Sequence, residues 1–191
     1  MNEELVWLEQ ARRGNKKAFG QLVEAYKGPV FNLAYRMLSN AGEAEEAAQE
    51  VFIRAYTRLD TYNPNHKFST WILSIASNYC IDLLRKRRAL LLSIDEPLPP
   101  HPALMSDRSK GPEAQSMMNE QQKLVQDLLA SLPAEYREAV VLRYWHEMSY
   151  EEIAEVMNTT VSAIKSRLFR ARRQLADVYE NESQEAELAF G

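Results

Sequence analysis

Apolar residues recur three and four positions apart through most of the chain, and no stretch of four to eight residues keeps a two-residue alternation, so the pattern predicts helices and no sheet. In the first half, Asn15 is placed to cap a helix carrying Ala18, Phe19, Leu22, Val23 and Tyr26. Pro29 then fits the first turn of a second helix, with Val30, Leu33, Ala34 and Met37 on one stripe. Ser39 to Gly42 reads as a turn. A third helix is expected from Glu43 to about Leu59, with Glu43, Glu45 and Glu46 near the positive end of its dipole. Asn63-Pro64-Asn65 interrupts the pattern, and a fourth helix from about Ser69 to Arg88 repeats Trp71, Ile72, Ile75, Tyr79 and Leu83. Four helices with short joins predict a small bundle.

Five of the eight prolines (Pro97, Pro99, Pro100, Pro102 and Pro112) crowd together after this bundle and predict a flexible linker over residues 89–112. Beyond it, one helix is expected from Glu113 to Ala130, and Pro133 opens another that carries Val140, Val141, Leu142 and Tyr144. A shorter helix follows, with Ser149 and Glu152 spaced as a capping box ahead of Ile153, Ala154 and Met157. Asn158-Thr159-Thr160 is a tight turn before a final helix from Val161 to about Tyr179. The expected fold class is all-α: two small helical domains, residues 1–88 and 113–180, joined by a proline-rich flexible linker and followed by a frayed acidic tail over 181–191.

Composition changes this picture only through its distribution. The 191 residues carry 23 Lys and Arg against 27 Asp and Glu, a net charge of −4, which on the total argues against nucleic acid. Residues 161–176, however, hold Lys165, Arg167, Arg170, Arg172 and Arg173 and no acid, while 177–191 hold only acids. One cysteine, Cys80, excludes an internal disulfide and a cysteine-based zinc site, and favours a reducing compartment. The acidic N-terminus lacks the features of a signal peptide. The longest markedly apolar run, Ala89 to Leu92, is far short of the ~20 residues that cross a bilayer. A soluble, cytoplasmic protein without direct membrane insertion is expected.

Short helix, tight turn and longer helix outline a helix-turn-helix. Small Ala154 allows close helix approach, Asn158 tolerates a left-handed turn, and Ile164 returns the second helix to the core. Val161, Ile164, Leu168, Ala171 and Leu175 share one face of that helix. Ser162, Ser166, Phe169, Arg170 and Arg173 point the other way, flanked by Lys165 and Arg172. That outer face offers base-edge donors, phosphate-pairing cations and a ring for a thymine methyl.

The first bundle has no role in a simple repressor, and its residues discriminate further. Ala44-Glu45-Glu46-Ala47-Ala48-Gln49-Glu50-Val51-Phe52-Ile53-Arg54-Ala55-Tyr56, then Phe68-Ser69-Thr70-Trp71-Ile72, then Ile75 to Arg85 resemble region 2 of a bacterial extracytoplasmic-function sigma factor of the sigma-70 family. Leu132-Pro133-Ala134-Glu135-Tyr136-Arg137 and Ile164 to Arg172 are similar to its region 4. The resemblance implies a specificity subunit that binds core RNA polymerase and reads promoter DNA. Region 2 would dock on polymerase and open the −10 element, and region 4 would read the −35 element through Ser162, Lys165, Ser166, Arg167, Phe169, Arg170, Arg172 and Arg173.

The family's polymerase contacts fall on Glu46, Gln49, Glu50 and Tyr56. Acidic and amide groups there suit a basic partner. Holding unstacked bases needs polar edges and backbone cations, which the loop Asp60 to Lys67 and Ser74, Asn78, Arg85, Lys86 and Arg88 supply. Trp71 stays open between two roles, since the family places it near melted DNA and its periodicity places it in the core. The chain has Thr160-Val161-Ser162-Ala163 where many relatives have Pro-x-Gly-Thr, which leaves the helix cap but allows different −35 bases or a weaker phosphate contact at that end. The resemblance also implies an anti-sigma factor, which is membrane-anchored in many relatives.

About 25 linker residues reach at most ~80 Å, and two duplex turns span ~70 Å, so the tether permits both separated and closed domains. A dimeric helix-turn-helix regulator is the alternative, and it gives the Phe-Ser-Thr-Trp and Ile-Asp-x-x-Arg segments no purpose. A protein-binding adaptor would leave the basic face unexplained. His66, His101 and His146 stand apart in sequence with no nucleophile, metal-ligand spacing or phosphate loop, so neither catalysis nor a cofactor is expected.

Overall fold

The computed structural model describes residues 3–93 and 113–190, which form eight α-helices and one short 3₁₀ turn with no strands among them. They are α1 (Glu3–Arg12), α2 (Lys16–Leu38), α3 (Ala41–Thr57), α4 (Phe68–Ser93), α5 (Glu113–Ser131), α6 (Ala134–Tyr144), α7 (Tyr150–Val156) and α8 (Val161–Phe190), with the 3₁₀ turn at Leu59–Thr61 after α3. The proline-rich stretch predicted as a linker lies outside the described residues.

Four local expectations are corrected. Residues 16–38 are one helix, with Pro29 inside it rather than at the start of a second. An interior proline loses a hydrogen bond and disfavours helical backbone in the residue before it. Here that residue is Gly28, which has no Cβ to clash, and burial of Ala18 and Leu22 before the proline and Val30, Leu33, Ala34 and Met37 after it holds both halves to one core. Next, Ala41 and Gly42 are not turn residues: Asn40 caps α3 by accepting from the Glu43 amide at 3.0 Å. The turn is confined to Ser39, whose φ is 58°. The third correction is at the end of α4, which runs to Ser93, past the predicted stop at Arg88. Finally, α8 continues to Phe190, so the tail predicted as frayed is helical.

The first helix, α1, carries no clear apolar period and was not expected from the pattern. It docks through buried Leu8 and Ala11, and the Tyr26 hydroxyl donates to Glu4 at 2.7 Å. Burial first and Glu4 second push that phenol above its ordinary range. Asn15 caps α2 as expected, accepting from the Lys17 and Ala18 amides at 3.0 and 3.2 Å. Asn15→Ala should therefore lower the unfolding free energy by about 1 kcal/mol, read as a lower urea midpoint with unchanged slope.

The helices α1 to α4 form the N-terminal bundle around Val30, Ala34, Met37, Ala44, Ala47, Val51 and Ile72, all fully buried. The helices α5 to α8 surround Leu142, Ile153 and Ile164. Buried residues of both units belong to one continuous cluster, and α6 and α7 pack directly on α2 and α4. Polar groups complete this packing. Arg137 donates to the carbonyls of Met37 at 2.5 Å and Ala130 at 2.8 Å. The Gln126 amide donates to Tyr35 O, Arg36 O and Ser39 Oγ at 2.8, 3.2 and 3.0 Å. The Ser77 hydroxyl donates to the buried Glu138 carboxylate.

Burial pushes Glu138 up to about 7, against the opposing pull of the Ser77 hydrogen bond. Burial pushes His146 down to about 4. The raised carboxyl favours the packed form fully below its ordinary value near 4.5, and this contribution is lost as pH rises through about 7. The lowered imidazole favours the packed form above its ordinary value near 6.5 and loses that contribution as pH falls toward 4. Glu138→Gln should accordingly melt at higher temperature than the parent at pH 8, with a much smaller difference at pH 5. Paired thermal melts at the two pH values check this.

Candidate nucleic-acid and polymerase interfaces

The helix-turn-helix is built as its local sequence requires. Ser149 and Glu152 close a reciprocal capping box, at 3.1 Å from the Glu152 amide to Ser149 Oγ and 2.8 Å from the Ser149 amide to Glu152 Oε2. Asn158 adopts the left-handed conformation, with φ 47°, and turns the chain. Thr160 Oγ1 accepts from the Ala163 amide at 3.2 Å and starts α8. Ile164, Leu168 and Ala171 are buried against α6 and α7.

The opposite face of α8 is open. Ser162, Lys165, Ser166, Phe169, Arg170, Arg172 and Arg173 are all exposed, and Phe169 is 62% exposed. An aromatic ring so exposed on a cationic helix covers no core of its own. Two of the cations are braced from behind: Arg170 reaches the Tyr136 hydroxyl at 3.5 Å, and Lys165 lies 5.8 Å from the Tyr150 ring centroid. Arg167 is placed differently. It is half-buried and pairs with Glu135 on α6 at 3.2 Å, away from the exposed row. Tyr136, Tyr150 and Glu135 were not singled out by sequence reasoning, because their contacts with α8 join different helices.

In the N-terminal bundle, α3 presents Glu46 and Gln49 to solvent. Glu50 is half-buried and accepts from Arg54 Nε at 2.7 Å, while Arg54 also lies 4.6 Å from the Tyr79 ring centroid. Tyr56 is exposed at one edge and packs edge-on against Phe19 at 5.0 Å. Between these residues stands Ile53, 59% exposed, which sequence reasoning did not single out. Its signal is its spacing, four after Gln49 and three after Glu50 on the same helix face. Beside it a shallow groove between α2 and α3 is lined by Lys27, Gly28, Phe31, Glu45, Ala48 and Gln49.

On α4, Ser74, Asn78, Arg85 and Arg88 follow one stripe, with Lys86 exposed beside it. Ser74 Oγ is occupied by the Trp71 carbonyl at 2.7 Å. Arg85 is loosely partnered by Asp82 at 4.0 Å, whereas neighbouring Arg87 is tied to Glu43. Trp71 is half-buried, its ring 5.5 Å from Tyr62 and 5.4 Å from Phe68, which makes it part of the aromatic packing under the loop. Tyr62 holds that loop by donating to the His66 carbonyl at 2.6 Å. Lys67 and His66 at its end meet Glu152 and Glu155 of α7, each at 2.7 Å. No group of metal-ligating side chains occurs among the described residues. No helix among them is long and apolar enough to cross a membrane.

Two segments of the chain match known family profiles. The profile of sigma-70 region 2 matches residues 22–90, and that of sigma-70 region 4 matches residues 122–175. The ECF RNA polymerase sigma factor SigW of Bacillus subtilis is 37% identical over 173 residues, covering 88% of this chain and 92% of that protein. The ECF RNA polymerase sigma-E factor of Escherichia coli K12 is 34% identical over 184 residues, covering 92% and 95%. Among solved structures, CnrH in complex with the cytosolic domain of CnrY superposes with a TM-score of 0.68 at 27% identity, covering 94% of this chain and 99% of that one. The sigma factor RpoE of Bartonella quintana, bound to the anti-sigma factor NepR, gives 0.65 at 25% identity, covering 86% and 98%. With both sigma regions matched in order and the relatives aligned over most of their length, the chain belongs to the extracytoplasmic-function sigma factors of the sigma-70 family.

Proposed function

We propose that this sigma factor docks on core RNA polymerase through the outer face of α3, with Glu46, Gln49, Glu50, Ile53 and Tyr56, and reads a −35 element through α8. The observation that carries the reading is the acid-free exposed row of α8, set on a correctly capped helix-turn-helix in the same chain as the docking helix. Lys165, Arg170, Arg172 and Arg173 supply phosphate and base-edge donors, Ser162 and Ser166 supply short polar contacts, and Phe169 supplies an apolar one. Arg167 acts chiefly by holding α8 on α6 through Glu135.

Asn78, Arg85, Lys86 and Arg88 on α4, with the loop ending in Lys67, receive the melted −10 strand. Exposed cations track its backbone there, and the Asn78 amide offers both a donor and an acceptor to an extruded base. Ser74 contributes only if its bond to the Trp71 carbonyl is exchanged. The work takes place in the cytoplasm, where polymerase meets promoter DNA, and the factor initiates transcription without catalysing a reaction. The solved relatives CnrH and RpoE are each held by a partner, and an anti-sigma factor, membrane-anchored or soluble, is the corresponding partner here.

The test is run-off transcription with purified core polymerase on the chain's own upstream DNA. Promoter-specific transcripts that require the protein are expected. Tight duplex binding by the protein alone, with no association with core, would instead support a dimeric helix-turn-helix regulator.

A further inference from the structure

The loop between the 3₁₀ turn and α4 is tied to the bundle from beneath. Residues 63–67 form an exposed arch whose two feet, Tyr62 and Phe68, are buried, at 4% and 2% exposure. Inside the arch the His66 amide donates to the Asn63 carbonyl at 3.1 Å, and the Asn65 amide donates to Asn63 Oδ1 at 3.0 Å. Pro64 adds a fixed φ between them. The Tyr62 hydroxyl crosses the base of the arch and donates to the His66 carbonyl at 2.6 Å. Its ring is held in turn, edge-on to Phe68 at 5.4 Å and tilted against Trp71 at 5.5 Å. Phe68 lies edge-on to Tyr26 at 5.1 Å, and the Tyr26 hydroxyl is anchored to Glu4 of α1 at 2.7 Å.

We propose that Tyr62 is a positioning residue for −10 recognition, its hydroxyl fixing the exposed arch at a set height over the aromatic cluster so that an extruded base meets the arch in one geometry. The inference deepens and rests on the functional reading above, in which this loop receives the melted strand. The physical basis is the steepness of hydrogen-bond geometry. Donor and acceptor pair over a range of about half an ångström and the bond weakens sharply as it bends, so a base reader discriminates only as well as its backbone is held. A loop free to shift accommodates a wrong base nearly as well as the right one. Tyr62 holds the backbone from the core side through a main-chain carbonyl, so it occupies none of the exposed side chains, Asn65 and Lys67 among them, that a base or phosphate could meet. The ring serves the packing and the hydroxyl serves the loop, so the two roles separate in Tyr62→Phe.

The experiment is run-off transcription by core polymerase with the full chain, on its own upstream promoter and on templates carrying single-base changes across the −10 and −35 elements. At each position, the ratio of transcription on the unchanged template to that on the changed one measures discrimination. Tyr62→Phe keeps the ring and removes the tie, and it should lower this ratio about fivefold at a −10 position while leaving the −35 ratios at the parental value. Tyr26→Phe is the matched control. It removes a hydroxyl from the same aromatic cluster, the one bonded to Glu4, and should lower the melting temperature to a similar extent while leaving every ratio unchanged. Pull-down with core should be equal for the parent and both variants.

Parental −10 ratios in Tyr62→Phe overturn the proposal. So does a fall shared by the −10 and −35 ratios, or an equal fall in Tyr26→Phe, since each describes a hydroxyl that serves stability alone. Asn78→Ala keeps this failure apart from failure of the functional reading. If Asn78→Ala lowers transcription on the unchanged template while Tyr62→Phe leaves the ratios alone, only positioning by Tyr62 is lost. If neither substitution moves −10 discrimination, the α4 face is not the −10 reader and the reading falls with the inference.

Discussion

Lys165→Ala combined with Arg170→Ala should abolish promoter-specific transcription while leaving association with core polymerase at the parental level. Both side chains stand on the exposed face of α8, and neither lies in the cores of the two units. Each is braced by an aromatic residue of a neighbouring helix, Tyr150 for Lys165 and Tyr136 for Arg170, so the cations are presented rather than free to sweep. A good base-edge contact contributes about 1–3 kcal/mol, so losing two contacts corresponds to a drop of order 100-fold or more in promoter occupancy. If one of them contacts only phosphate, raising salt will narrow the gap between parent and single variant uniformly across promoter sequences. Run-off transcription and core pull-down on the same preparations check both halves. Unimpaired transcription at physiological salt would remove the assignment of this face.

The complementary result is expected on α3. Gln49→Ala with Glu50→Ala should weaken core association, and Ile53→Asp should weaken it further, while duplex binding by α8 is unchanged. Ile53 is a large apolar side chain left 59% exposed among polar neighbours, which is how the centre of an interface looks before its partner arrives. Introducing a charge at such a centre costs about 2 kcal/mol or more, roughly 30-fold in affinity. Glu50 contributes less by itself, because it is half-buried and already paired with Arg54. Competition for core against labelled parent protein measures the order Ile53→Asp, then the double alanine variant, then the parent. Parental affinity in Ile53→Asp would place the docking surface elsewhere on the bundle.

The packing of α7 on α4 bears on both experiments. None of these substitutions touches the contacts of His66 and Lys67 with α7, so any change in transcription reports on the exposed faces. A double-mutant cycle between Lys165 and Glu155 should accordingly be additive, whereas Lys67 and Glu152 should couple.

Residue types and spacing alone determined most of the helices, the capping box at Ser149, the left-handed turn at Asn158 and the division of α8 into a buried and a basic face. Each of these depends on residues within one or two helical turns of one another, where sterics, capping and period decide the outcome. Pattern misled where long-range burial overruled local preference. Pro29 lies inside a helix because Gly28 relieves the clash and the residues on either side share one core. Burial is not the reason that α4 runs past Arg88, where Leu90 and Leu91 are exposed, and α8 likewise runs past the stop expected near Tyr179.

What only the tertiary structure decided lies in contacts between residues far apart in the chain. The sequence places Arg167 among the basic residues of α8, and only the position of α6 turns it to Glu135. Ser77 and Glu138 are 61 residues apart, and Arg137 and the Met37 carbonyl 100 apart. No periodicity relates such pairs, because the helix repeat orders residues along one element and says nothing of which element will face it. Their partners follow from the docking of two units across a tether long enough to allow other arrangements. For the same reason Lys67 was legible as a cation of its loop, but its pairing with Glu152 of α7 was not.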